Sequence, residues 1–162
     1  MMQEPKALPA SAQKVQEAAR ALGLDVVVTE MAESTRTAAD AAAACGCEVG
    51  QIVKSLLFRG ADSGKPYMVL VSGTNRLNEK GVAEVLSEAL KRPDAAYVRE
   101  VTGYAIGGVP PFGHANPVSV LMDEDLLRYE LVWAAAGTPR AVFPVAPAAL
   151  ADAVGAQIIQ VT

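Results

Sequence analysis

The sequence predicts an α+β fold: a mixed, mainly antiparallel sheet flanked by helices. Three observations carry this. Apolar residues recur at strand spacing in some segments and at helix spacing in others, without a regular βαβ alternation. Two pairs of strand-like runs sit either side of turn segments, as hairpins require. The 162 residues, 51% hydrophobic and 20% charged, fit one domain large enough to bury a core. That domain is expected to span residues 1–162, with roughly the first ten disordered.

The elements follow in order. Ser11 is placed to cap a helix whose apolar positions Val15, Ala18, Ala19 and Leu22 lead to Gly23. Asp25 to Glu30 reads as a short strand through Val26, Val27 and Val28. Thr37 caps an alanine-rich helix stopped by Gly46. Gln51 to Arg59 and Tyr67 to Ser72 form a hairpin around the turn from Gly60 to Pro66. Asn78 starts a helix carrying Val82, Val85, Leu86 and Leu90 on one face, and Pro93 begins another that ends at Gly103. Val118 to Met122 is a strand, followed by a helical turn from Asp123. Leu131 to Ala136 and Arg140 to Val145 pair across Gly137-Thr138-Pro139. A last helix covers Pro147 to Val154 and a last strand Gln157 to Val161.

Composition narrows the functional classes. A net charge of −4 argues against broad binding to duplex DNA, though it permits a local contact with an RNA end. Residues 1–9 lack the apolar run of a secretory signal, and no window supplies the ~20 apolar residues of a membrane span. A cytoplasmic location without membrane contact is therefore expected. Cys45 and Cys47 have the spacing of neither a redox pair nor a zinc knuckle, and there is a single histidine. No metal and no cofactor are expected. Ser72-Gly73-Thr74-Asn75-Arg76 precedes a helix as phosphate-binding loops do, but without a Walker pattern, and no Gly-x-Ser-x-Gly elbow is present.

The segment from Val101 to Met122 holds 22 residues without a charge, three prolines and four glycines among them. A helix would be poor here. The reading is a rigid loop, Gly107-Gly108-Val109-Pro110-Pro111-Phe112-Gly113-His114, whose free backbone N–H groups suit an uncharged polar group such as an ester carbonyl. His114, at its end, is a candidate base or hydrogen-bond donor. Lys54 shares a strand face with Ile52, Leu56 and Phe58, so it must snorkel outward or meet an anion. Gly137 and Thr138 could turn a hydroxyl and an amide toward the same pocket.

Thr37-Ala38-Ala39, Gln51-Ile52-Val53-Lys54-Ser55-Leu56, Tyr104-Ala105-Ile106-Gly107-Gly108, Pro111-Phe112-Gly113 and Ala136-Gly137-Thr138-Pro139-Arg140 occur in this order. In this, the chain from about Gly23 onward resembles the YbaK/ProX family of aminoacyl-tRNA deacylases, which is related to the editing insertion of bacterial prolyl-tRNA synthetases. The resemblance implies a compact mixed sheet and a pocket for the aminoacylated 3′ end of tRNA. It implies hydrolysis of wrongly attached amino acids in trans to a synthetase, which is a possible partner. Lys54 matches the family's functional lysine and Gly107 the first glycine of its substrate loop. Gly108 and His114 are carried with them as catalytic candidates. Ser55, Pro111, Phe112, Gly113, Gly137 and Thr138 are carried as substrate contacts. Ser55 stands where other members carry threonine or asparagine, and the loop reads Val109-Pro110-Pro111-Phe112. Phe112 and the prolines suggest a restricted pocket for a small amino acid such as alanine, serine or threonine. Two other readings stay open: a binding module for a tRNA end or a synthetase without hydrolysis, and a hydrolase of another small ester or nucleotide conjugate.

Overall fold

A computed structural model describes residues 8–162. Most of the segment expected to be disordered lies outside that range. The first helix, α1 (Ala10–Ala21), buries Ala12, Val15 and Ala19. Pro9 rather than Ser11 holds the capping position, and Ser11 falls inside the first turn. The strand expected over 25–30 shrinks to β1 (Thr29–Glu30). Residues 26–28 have no strand partner among the described residues, and the Gln16 side chain takes that place. Its amide donates to the Val26 carbonyl (2.8 Å) and accepts from the Val28 N–H (2.8 Å).

Helix α2 (Ala38–Cys45) begins as expected: Thr37 Oγ1 accepts the Asp40 N–H at 3.0 Å, and Gly46 ends it at φ 67°. A short 3₁₀ turn (Val49–Gln51) leads into β2 (Val53–Gly60), which pairs antiparallel with β3 (Pro66–Ser72). Helix α3 (Glu79–Leu86) is capped by Asn78 but stops at Ser87, whose φ is 61°, so Leu90 leaves the helix for β4 (Leu90–Lys91). Asp94, not Pro93, caps α4 (Ala95–Thr102) by accepting the Tyr97 N–H at 2.8 Å. Then come β5 (Ser119–Asp123), a 3₁₀ segment (Glu124–Arg128), and the hairpin of β6 (Val132–Ala135) and β7 (Ala141–Val145). Helix α5 (Pro147–Val154) and β8 (Gln157–Ile159) complete the described chain.

The fold is α+β, with its strands divided between two sheets. One has the order β4-β2-β3-β5-β8, antiparallel at β4/β2/β3 and parallel at β3/β5/β8; the other, β1-β7-β6, is antiparallel throughout. A single parallel bridge, Ile52 to Trp133, links them. The larger sheet is covered on both faces, which is why Met68-Val69-Leu70-Val71 is a continuous apolar run. Met68 and Leu70 join the main core with Val15, Val98 and Phe143. Val69 and Val71 face a second core with Val82 and Leu121. A third, smaller cluster packs α2 on Ile52.

Candidate functional site

Where the two sheets diverge, a cleft of about 790 Å³ opens along β2. Lys54, Arg76 and Leu77 line it together with Ile106, Gly107, Val109 and Trp133. Lys54 does what a lysine on an apolar strand face must do. It shares its strand face with Ile52 and Leu56, and its Nζ donates to the main-chain carbonyl of Asn75 at 2.5 Å. One donor is thereby used, leaving two for a ligand. Burial pushes the Lys54 pKa down from the usual lysine value, and the Asp123 carboxylate pulls it back up.

Asp123 had no role in the sequence reading, yet it organises the surroundings of Lys54. It is 1% exposed. Its Oδ2 accepts the Ser72 N–H at 2.9 Å and the Asn75 amide at 2.8 Å, and its Oδ1 accepts the Asp125 N–H at 2.9 Å. The Asn75 amide also donates to Asp125 at 2.7 Å. The turn after β3 is thus fixed so that the Asn75 carbonyl faces Lys54. The signal in the sequence was an acid placed directly after the apolar run Val120-Leu121-Met122.

The glycine loop is only half as expected. Gly107, at φ 100°, lines the cleft, and its N–H meets no acceptor among the described residues. The Gly108 N–H is occupied by the Ala105 carbonyl at 3.2 Å, and its own carbonyl accepts the Gly137 N–H at 2.7 Å. Gly108 and Gly137 therefore dock the loop onto the β6/β7 hairpin and do not line the cleft. Thr138 borders a separate hollow with Arg36 and Arg140, and its Oγ1 accepts the Ala141 N–H at 3.0 Å.

The rest of the loop turns inward, because uncharged Phe and Pro side chains gain more from the core than from a wet cleft. Pro111 is buried, and Phe112, 4% exposed, packs on Phe143 with ring centroids 5.3 Å apart. Gly113, at φ 72°, passes close to Ala18. His114 does not reach the cleft either. Its Nε2 bonds the Pro110 carbonyl at 2.7 Å, and burial pushes its pKa below the usual histidine value. Ser55 does line the cleft, and its hydroxyl is the one buried side-chain polar atom without a partner among the described residues.

Two cations missed by the sequence reading as a pair, Arg36 and Arg76, also border the cleft, and neither is in an ion pair among the described residues. Arg92 borders it too, but bonds Glu79 at 3.2 Å.

The matched family model is that of the aminoacyl-tRNA editing domain, over residues 32–153. The chain belongs to this family. This editing domain is 30% identical over 125 residues to the uncharacterized protein YwhH of Bacillus subtilis, covering 77% of the present chain and 79% of that protein. It is 32% identical over 110 residues to a proline–tRNA ligase of Limosilactobacillus fermentum, covering 65% of this chain but only 19% of the ligase. A solved structure described as a candidate trans-editing enzyme for prolyl tRNA synthetase superposes on it with a TM-score of 0.92 and 48% identity, over 96% of this chain and 99% of that one. Among the described residues no helix is long and apolar enough to cross a membrane.

Proposed function

We propose that this editing domain is a trans-acting deacylase that removes a wrongly attached amino acid from the 3′ end of a tRNA. The observation that carries this reading is that Lys54 and Gly107, whose N–H is unoccupied among the described residues, line one cleft. An aminoacyl ester is already activated, so positioning and charge stabilisation suffice without a protein nucleophile.

In this mechanism Lys54 uses its two remaining N–H donors to hold the ribose or phosphate of the terminal nucleotide. Arg36 and Arg76 supply positive charge at the cleft border, which an overall charge of −4 does not. The Gly107 N–H points at the ester carbonyl oxygen, where negative charge develops. A water oriented by the free ribose hydroxyl attacks the carbonyl carbon. The ester C–O bond then breaks, and the ribose oxygen leaves and takes a proton. The products are a free amino acid and a tRNA with its terminal hydroxyls restored. His114 and Thr138 have no step here, since the histidine ring is tied to Pro110 and the threonine borders another hollow. A synthetase is the natural partner, because it produces the mischarged substrate.

The test is ester loss from a panel of tRNAs mischarged with alanine, serine, threonine or cysteine, alongside Lys54→Ala. Rapid loss of one or two species, reduced by at least a hundredfold (~3 kcal/mol in transition-state stabilisation) in Lys54→Ala, supports the proposal. Equal rates in the two proteins remove Lys54 from the mechanism. No loss from any species leaves a binding module in its place.

A further inference from the structure

Alternate residues of an antiparallel strand direct their N–H and C=O groups to opposite edges. In β2 the phase is fixed at both edges. The Gly60 N–H donates to the Lys65 carbonyl at 2.8 Å, so even-numbered residues face β3. The Ala61 N–H donates to the Ala89 carbonyl at 2.8 Å, and Arg59 pairs with Lys91, so odd-numbered residues face away. On that outer edge, among the described residues, β2 has strand partners only at its ends: β4 at Arg59 and Gly60, and Trp133 at Ile52. Between them, Ser55 and Leu57 turn main-chain groups outward with no strand opposite, and both line the cleft. A buried strand edge with unmatched donors and acceptors is costly. Ser55 adds an unpartnered hydroxyl.

We infer that this free edge is the recognition site for the adenine ring of the terminal nucleotide, with the Ser55 carbonyl accepting from the 6-amino group and the Leu57 N–H donating to ring N1. The inference rests on the deacylase reading and assigns a ligand part to main-chain groups. The Ser55 C=O and Leu57 N–H are successive groups on the outer edge, and adenine presents a donor beside an acceptor. The gap favours a base over a peptide strand, since it offers only two outward-facing residues and is stopped by Trp133 at one end and Lys91 at the other. The faces of a flat ring also find apolar cover. Ile106 lines the cleft yet is 59% exposed, a large aliphatic side chain that the fold leaves uncovered, and Leu56 and Val98 line the same space. With the ring on β2, the attached ribose and ester stay within the cleft that Lys54 and Gly107 line.

The test uses acceptor-stem minihelices chemically acylated with whichever of alanine, serine, threonine or cysteine is lost fastest from whole tRNA. Their terminal base is adenine, N6,N6-dimethyladenine, 1-deazaadenine or 7-deazaadenine. Dimethylation blocks the donor, the 1-deaza base lacks the acceptor, and the 7-deaza base keeps both. Each of the first two changes is expected to lower kcat/KM roughly tenfold, mainly through KM, and the 7-deaza substrate is expected to match adenine. Equal kcat/KM for all four, or an equal loss with the 7-deaza base, overturns the inference while leaving the deacylase intact. Failure to hydrolyse the adenine minihelix and every mischarged tRNA overturns both.

Discussion

Asp123→Asn separates what the fold needs from what Lys54 needs. The side-chain shape is kept, but one acceptor oxygen becomes an NH₂ group. The least damaging orientation places that NH₂ toward the Asp125 N–H and keeps the oxygen for Ser72 and Asn75. One bond to a charged acceptor is then lost and a donor faces a donor, at a cost of about 2–3 kcal/mol. With a urea m value of about 2 kcal/mol/M for a chain of this size, the midpoint should fall by roughly 1–1.5 M. The second effect is electrostatic. Burial already depresses the Lys54 pKa and the Asp123 carboxylate opposes that shift. Removing the carboxylate leaves burial unopposed, so Lys54 loses its proton at a lower pH than in the parent protein. The alkaline limb of the kcat/KM profile should therefore move to lower pH, followed in both proteins until each rate falls and corrected for spontaneous ester loss. A variant with the expected stability loss but an unmoved alkaline limb would refute the idea that Asp123 supports Lys54 electrostatically, leaving it a purely structural acid.

Three further outcomes test other parts of the structure. A Cβ at Gly108 would lie 2.6 Å from the Thr138 nitrogen and 2.7 Å from the Gly137 carbonyl carbon, so Gly108→Ala must push the glycine loop off the β6/β7 hairpin. We expect a loss of about 1–3 kcal/mol, a fall in Tm of roughly 3–10 °C by calorimetry, and a lowered kcat as Gly107 moves. Ser55→Ala deletes a buried hydroxyl that makes no bond, so urea unfolding should show stability unchanged or raised by up to about 1 kcal/mol. Glu88 accepts from the Ser63 N–H and Oγ, the Tyr67 hydroxyl and the Asp62 N–H, and its pKa falls from 4.5 to about 2. Its folded-state value is the lower one, so its stabilisation is complete above pH 4.5 and disappears as the pH falls toward 2. The gap in urea midpoint between the parent and Glu88→Gln should accordingly be constant above pH 5 or so and close in acid.

Local signals in the chain were read correctly where the deciding atoms lie within a few residues. Thr37 and Asn78 cap their helices, Gly46 and Gly103 end theirs, and the 60–66 turn joins two strands. What went unread depends on distant partners. The Gln16 amide stands in for a strand beside residues 26–28, and no periodicity announces a side chain acting as backbone. The division into two sheets depends on β5 lying parallel to β3 rather than joining the β6/β7 hairpin, a choice made by packing. In the site, Lys54 was legible because a cation on an apolar face demands an explanation. Gly107 was legible because glycine and proline mark an irregular loop. Phe112 and His114 were misplaced by adjacency: neighbours in an irregular loop do not share a face, and this one turns between Gly107 and Pro111 from cleft wall to core.

The single rung between Ile52 and Trp133 gives the cleft a divided construction. Lys54, Asn75 and Asp123 belong to the five-stranded sheet and its turns, whereas Trp133, Ala134 and Ala135 belong to the three-stranded one. Changes of volume on the β6 side can resize the cleft without disturbing the ladder that holds the lysine. Drift in the three-stranded sheet can thus reshape one side of the cleft while the bonds that tie Lys54 to Asn75, and Asn75 to Asp123, stay as they are.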